Sequence, residues 1–229
     1  MGKLILIRHG KSLWNIENIF TGWTDIDLAP QGIEEAKKAG ELLKTNNIEI
    51  SICFSSYLKR AIRTAWIILE TADMMNIDCL YNWKLNERHY GSWQGRNKDD
   101  VKKEVGEDIF WKIRRGYDMP PPILTFDDKR HPRFENKYKH IDSSLLPVSE
   151  SLKDTRKRVV AYYFECIVPQ LVRGRTVLVT AHGNSIRALM AQIENIPASE
   201  INKVEVATGL PYIFEFDDNL NLQNKYILK

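Results

Sequence analysis

The sequence predicts an α/β fold: a mostly parallel central sheet flanked by helices on both faces, in a Rossmann-like three-layer arrangement. Three observations carry that expectation. Leu4-Ile5-Leu6-Ile7 is short and wholly apolar, as a strand buried on both faces requires. Thr176-Val177-Leu178-Val179-Thr180 repeats the pattern, and each run leads into a His-Gly pair, Arg8-His9-Gly10 and Ala181-His182-Gly183. Between them, strand-like and helix-like stretches alternate, as in sheets built by crossover connections.

The elements follow in order. After the first strand, Ser12 to Asn18 is short and polar around Trp14, and Thr21-Gly22-Trp23-Thr24 reads as a loop. Ile33, Ala36, Gly40 and Leu43 fall at helical spacing between Pro30 and about Asn46. Ile48 to Phe54 alternates as a second strand, with Ser55 or Ser56 available to cap the next helix. That helix carries Leu58, Ala61, Ile62, Ala65, Leu69 and Ala72 on one stripe. A third strand is expected from Ile77 to Tyr81, delivering Leu85-Asn86-Glu87-Arg88-His89-Tyr90-Gly91 into a loop. Helical signals run from Asp99 to Arg115. The segment Tyr117 to Val148, with Pro120-Pro121-Pro122, has a length that compact domains reserve for functional loops, and it is expected to form a lid. Ser149 is expected to cap a helix bearing Leu152, Val159, Tyr163 and Ile167, kinked or divided at Pro169. The Thr176–Thr180 strand and a helix from Ser185 follow. Val204–Val206 and Tyr212–Phe216 read as a closing hairpin.

The 229 residues suit one domain spanning 1–229, because no Gly/Ser-rich or Pro-rich linker divides them. Hydrophobic residues make up 43%, ample for a core. A net charge of +3, with basic clusters interrupted by acids, does not resemble a nucleic-acid-reading module. Cys53, Cys79 and Cys166 lack metal-ligand spacing; Cys53 and Cys79 read as buried thiols in strands. Apolar structure begins by residue 4, with no signal peptide before it and no run near the ~20 residues that span a bilayer. A soluble, cytoplasmic protein without membrane or nucleic-acid partners is expected.

Ligands of open α/β sheets bind beyond the carboxyl ends of the strands, where both His-Gly pairs fall. Imidazole can attack phosphorus directly, and phosphoryl transfer then needs mainly positioning and charge on the equatorial oxygens. The chain has no P-loop, so arginines are the candidates to supply that charge in place of a metal: Arg8 beside His9, and Arg60 at the start of the second helix. His9 must be neutral to attack, and neighbouring cations favour that form. Glu87, in a loop just after a strand, is the candidate general acid/base. Taken singly, Arg60 is equally a solvated helix-start arginine, and Glu87 an ordinary loop carboxylate.

Longer motifs sharpen this. Phe20-Thr21-Gly22-Trp23, Lys59-Arg60-Ala61, Leu85 to Gly91, Arg114-Arg115, Glu150 to Thr155 and Ala181-His182-Gly183-Asn184-Ser185 occur in order along essentially the whole chain. With Arg8-His9-Gly10, the sequence resembles the cofactor-dependent phosphoglycerate mutases of the histidine phosphatase superfamily. The resemblance implies interconversion of 3-phosphoglycerate and 2-phosphoglycerate, with 2,3-bisphosphoglycerate priming the histidine and no metal. It implies that His9 carries the phosphoryl group, Glu87 moves the proton and His182 stabilises the transition state. Arg8 and Arg60 then hold the transferring group. Ser12, Asn15, Thr21, Gly22, Arg88, His89, Tyr90, Lys98, Arg114, Arg115, Gly183 and Asn184 complete the implied substrate pocket. It also implies a homodimer or a higher homo-oligomer. Lys11 stands where the family commonly has glutamate, which adds positive charge near the nucleophile. A histidine phosphatase that passes the group to water is the competing activity, and a non-catalytic anion-binding protein is the third reading.

Overall fold

The two apolar runs that end in His-Gly lie side by side within one six-stranded sheet. The computed structural model describes residues 2–229. The chain forms β1 (Lys3–Arg8), α1 (Leu13–Ile16), α2 (Pro30–Thr45), β2 (Ile52–Ser55), α3 (Lys59–Thr71) and β3 (Cys79–Tyr81). It continues through α4 (Lys98–Val105), α5 (Glu107–Arg115), α6 (Leu152–Tyr162), a π-helical turn (Tyr163–Ile167) and α7 (Val168–Val172). It ends with β4 (Thr176–Ala181), α8 (Gly183–Ile193), β5 (Pro211–Phe216) and β6 (Leu222–Ile227).

The strand order is β3-β2-β4-β1-β5-β6. Pairings β2–β3, β2–β4 and β1–β4 are parallel, while β1–β5 and β5–β6 are antiparallel, so the sheet is mixed. Alternate residues of the central strands enter two separate cores. Leu4, Leu6, Val177 and Val179 pack with Val159, Ile167, Leu171, Ile186 and Leu189 on one face. Ile5, Ile7 and Leu178 meet Ala36, Ala39, Leu43, Ala65 and Ile68 of α2 and α3 on the other. Helices therefore cover both faces, and β1 and β4 read as apolar throughout because neither of their faces meets water.

The register Arg8↔Ala181 ends both central strands at one level, and the His9 amide extends the ladder by donating to Ala181 O at 3.0 Å. Both histidines thus leave the sheet together. Gly10 is required here by close approach. A Cβ on it would lie 2.1 Å from the Gly32 carbonyl oxygen, and one on Gly32 would lie 2.1 Å from Lys11 O. The loop behind His9 rests backbone to backbone on the start of α2.

Several boundaries differ from the sequence reading for local reasons. Ile48 and Ile50 bury their side chains in the second core, yet only Ile52–Ser55 enters the ladder. The expected 99–115 helix is two, divided at Gly106, whose φ of +81° an L side chain rarely adopts. The cap of α6 is Ser151, in a reciprocal capping box with Asp154, whereas the Ser149 hydroxyl donates to Pro121 O. Ser56 Oγ accepts from the Leu58 amide ahead of α3. Pro169 is accommodated at the start of α7, after the wider π-helical turn.

The closing hairpin pairs β5 with β6, not with Val204–Val206. Those residues spend their carbonyls on arginines instead: Val204 O accepts from Arg187 Nε, and Val206 O from Arg8 Nη1. Residues 117–148 form three 3-10 turns. Tyr138 stacks on Trp23 at 5.3 Å, its hydroxyl accepts from Asn86 Nδ2, and Arg130 Nη1 donates to Gln94 O. The segment packs against the Trp83–Gln94 loop and contributes no residue to the lining of the cleft described next.

Candidate active site

At the carboxyl ends of β1 and β4 opens a cavity of about 180 Å³, the size of a small molecule. His9 lies in its wall, 3% exposed. Its Nδ1 is 2.7 Å from Gly10 O. A carbonyl only accepts, so Nδ1 carries the proton and the lone pair sits on Nε2. Arg60 Nε donates to that Nε2 at 3.3 Å, while its Nη1 and Nη2 donate to Thr24 O and Gly22 O. Arg60 is 1% exposed, so it is no solvated helix-start residue.

His182 precedes α8, its ring centroid 5.0 Å from that of His9. Its Nε2 is 2.7 Å from Ser56 Oγ, and its Nδ1 is buried without a partner. Arg8 Nε and Thr21 Oγ1 are buried without partners as well. Buried polar atoms are costly when unpaired, and groups of this kind clustered beside a nucleophile are suited to an anionic oxygen. Glu87 Oε1 accepts from the Arg88 and Asn184 amides at 2.8 and 3.1 Å, the second at the N-terminus of α8. Beneath it, Arg158 pairs with both carboxylate oxygens of Glu150 and donates to the carbonyls of Lys84, Asn86 and Glu87. That clamp fixes the backbone on which Glu87 sits.

Arg8, Arg60, Lys98, Arg114, Arg115 and Arg187 line the cleft against the single carboxylate of Glu87. The excess shows in the titration of its members. Burial, then the charges of Arg60 and Arg8, hold His9 well below the usual imidazole range, outweighing its bond to Gly10. Burial, then Arg60, does the same to His182. Burial, then the charges of Arg114 and Arg8, brings Lys98 down to about 8. Among the described residues, no group of three or more His, Cys, Asp or Glu is placed to hold a metal ion.

These shifts make stability depend on pH. His9, His182 and His89 are buried and neutral when folded, the last brought down to about 3, chiefly by burial. Each unfolds to an ordinary imidazole, so below about pH 6.5 the unfolded chain binds more protons than the folded one. Their contribution is complete above that pH and falls as pH drops toward the folded values. Each histidine should cost roughly 1.4 kcal/mol per pH unit in that window. Urea unfolding from pH 7.5 to 5 measures the slope, and constant stability across that range would contradict neutral burial.

The family model of the histidine phosphatase superfamily (branch 1) matches residues 4–128 and 124–226. The chain belongs to this superfamily. A curated relative from Nautilia profundicola is 56% identical over 226 residues, covering 99% of both chains. One from Staphylococcus carnosus is 47% identical over 228 residues, covering 100% of both. Each is named a 2,3-bisphosphoglycerate-dependent phosphoglycerate mutase. Among solved structures, Bacillus stearothermophilus YhfR superposes with a TM-score of 0.73 at 22% identity, covering 97% of this chain and 95% of its own. That likeness is one of fold.

In this member of the histidine phosphatase superfamily, the cleft gathers Arg8, His9, Asn15, Thr21, Gly22, Arg60, Glu87, Tyr90, Lys98, Arg114, Arg115, Gly183 and Asn184 from the sequence-predicted set. His182 stands just behind, against Ser56. Three expected pocket residues do not line it. Ser12 is buried as the N-cap of α1. Arg88 turns inward to the carbonyls of Glu150, Ile113 and Met119, and the His89 ring accepts from the Gly91 amide. Lys11 points its ammonium at Gln31 Oε1 on the surface, so its charge is not at the nucleophile. Arg187 was missed, although it lies three residues after Asn184 on α8 and hence on the same face; its Nη1 donates to Asn184 Oδ1.

Proposed function

We propose that this protein interconverts 3-phosphoglycerate and 2-phosphoglycerate, as a 2,3-bisphosphoglycerate-dependent phosphoglycerate mutase working through phosphorylated His9. The observation that carries this reading is whole-length identity with the relatives of that name. The cleft supports it. Arg8 Nε, Thr21 Oγ1 and His182 Nδ1 are buried without partners. Lys98, Arg114, Arg115 and Arg187 add charge around the same small space. That set fits a short acid bearing phosphoryl groups. When bound, 2,3-bisphosphoglycerate supplies the phosphoryl group that charges His9.

The chain's own residues do the rest. His9 Nε2 forms the P–N bond as a P–O bond of the donor breaks, and Glu87 gives a proton to the departing oxygen. In the opposite direction Glu87 takes the proton of the substrate hydroxyl while the P–N bond breaks. Arg8, Arg60 and His182 offset charge on the equatorial oxygens, a role that fixed donors fill without reorganisation. Lys98, Arg114, Arg115 and Arg187 hold the carboxylate and the phosphate that is not transferring. Asn15, Thr21, Gly22, Tyr90, Gly183 and Asn184 shape the pocket. Because guanidinium groups supply the charge, the reaction needs no divalent ion. By the family resemblance, the enzyme works in the cytoplasm as a homodimer or larger homo-oligomer.

Phosphorus NMR of 3-phosphoglycerate with the purified protein tests this without a coupling enzyme. The expected result is 2-phosphoglycerate formation that requires added bisphosphate and survives prior EDTA treatment. Accumulation of inorganic phosphate in place of the isomer would reassign the protein as a phosphatase, and strict metal dependence would overturn the guanidinium cradle.

A further inference from the structure

Cys53 and Cys79 are direct register partners on neighbouring parallel strands, β2 and β3. Partners in register on adjacent strands point to the same face, with backbones about 4.7–4.9 Å apart. That separation falls within the range of roughly 4.4–6.8 Å between the Cα atoms of disulfide-bonded cysteines. Both side chains join the same core, Cys53 within it and Cys79 packed against its edge. Tyr81, two residues on and on the same face, accepts through its hydroxyl from Trp66 Nε1 at 2.8 Å.

The two sulfurs differ in ways that divide the labour. β3 is a three-residue strand at the sheet edge, and Cys79 is half-buried there, within reach of a solute. Cys53 is fully buried one strand further in. The polar surroundings supplied by Cys53, and less so by Tyr81, outweigh burial and bring the Cys79 thiol down to about 7. The neighbouring Cys79 and burial push Cys53 well above the usual thiol range. An accessible thiolate beside a protonated, shielded thiol is the arrangement of an attacking and a resolving cysteine. Cys166, in the π-helical turn, has no cysteine partner and serves as an internal reference.

We propose that Cys79 and Cys53 form a redox-active dithiol, which hydrogen peroxide oxidises to an intrachain disulfide between β3 and β2. The Cys79 thiolate attacks one peroxide oxygen and the O–O bond breaks. The departing oxygen leaves as water after taking a proton, and Cys79 becomes a sulfenic acid. The Cys53 sulfur then attacks the Cys79 sulfur, and the S–O bond breaks. Hydroxide leaves with the Cys53 proton as a second water. Two thiols lose two electrons in all, and one peroxide becomes two waters. This chemistry is independent of the cleft.

The test is peptide mapping of the intact, folded protein by mass spectrometry under non-reducing conditions, after treatment with hydrogen peroxide. The expected product is one cross-linked peptide pair joining Cys53 to Cys79, two hydrogens lighter than the separate peptides and restored by a dithiol reductant. Cys166 should remain a free thiol at the same dose. With Cys53→Ala, Cys79 should instead accumulate as a sulfenic acid that dimedone captures. With Cys79→Ser, Cys53 should stay unmodified. A Cys79–Cys79 bond between two chains, over-oxidation of Cys79 without the cross-link, or oxidation of Cys166 ahead of the pair would each overturn the assignment. The wild-type map decides the matter even where a variant fails to fold.

Discussion

Replacing His9 with alanine should lower mutase turnover by ~10⁴-fold or more and leave the fold intact. The magnitude follows from what is removed. Nε2 is the lone-pair atom of a ring whose other nitrogen is committed to Gly10 O, and it faces a cleft in which Arg60 has already been positioned. Ser12 cannot take its place, since it is engaged as the N-cap of α1 and does not line the cleft. The fold should survive although truncation removes the bonds to Gly10 O and from Arg60 Nε, because Arg60 stays anchored on Thr24 O and Gly22 O and β1 keeps its ladder to β4 through backbone groups. The variant should still bind phosphoglycerate, because Lys98, Arg114, Arg115 and Arg187 are untouched. Intact-mass spectrometry after incubation with 2,3-bisphosphoglycerate should show phosphorylated wild type and unmodified variant. Isomerisation near the wild-type rate by the alanine protein would end the phosphohistidine reading.

What was legible in advance tracks how strongly water constrains each segment. β1 and β4 announce themselves because both their faces are buried, which forces wholly apolar runs, and their His-Gly ends mark the site. The stripes on α2 and α3 are visible for the same reason. β6 is a polar edge strand, largely exposed, held to β5 by backbone bonds, and it has no side-chain pattern to read. Val204–Val206 looks like a strand because valines alternate with Glu205, yet its carbonyls serve Arg187 and Arg8, a long-range demand absent from local sequence.

The site divides in the same way. His9, Arg60, Glu87 and His182 are recoverable from motif and chemistry together. Arg88 and His89 share a motif with Glu87, but both turn into the interior between Glu87 and Tyr90, which face the cleft. Motif membership alone therefore assigns them to the wrong side. Gly10 shows a related limit. The His-Gly pair marks the position in the sequence, but the need for glycine comes from Gly32, a backbone contact that local sequence does not display.

Glu87→Gln should separate proton transfer from charge and shape. The substitution is nearly isosteric, so the amide oxygen can still accept from the Arg88 and Asn184 amides, and the Arg158–Glu150 clamp beneath it is unchanged. What disappears is the capacity to give and take a proton at the substrate oxygen, a contribution typically of ~10²–10⁴-fold. Turnover of phosphoglycerate should fall by that amount. A phosphate ester of an acidic phenol provides the discriminating comparison, because its leaving oxygen departs without protonation. Phosphorylation of His9 by that ester should remain within about tenfold of wild type in the variant, since general acid catalysis is worth little to a good leaving group. Equal losses on both donors would mean that Glu87 acts through its charge alone. The proton would then have to travel by another route, for which His182, just behind the cleft with an unpartnered Nδ1, is the candidate. Rapid-quench measurement of phosphohistidine formation with each donor distinguishes the two routes, because only the general-acid route makes the defect depend on the basicity of the leaving oxygen.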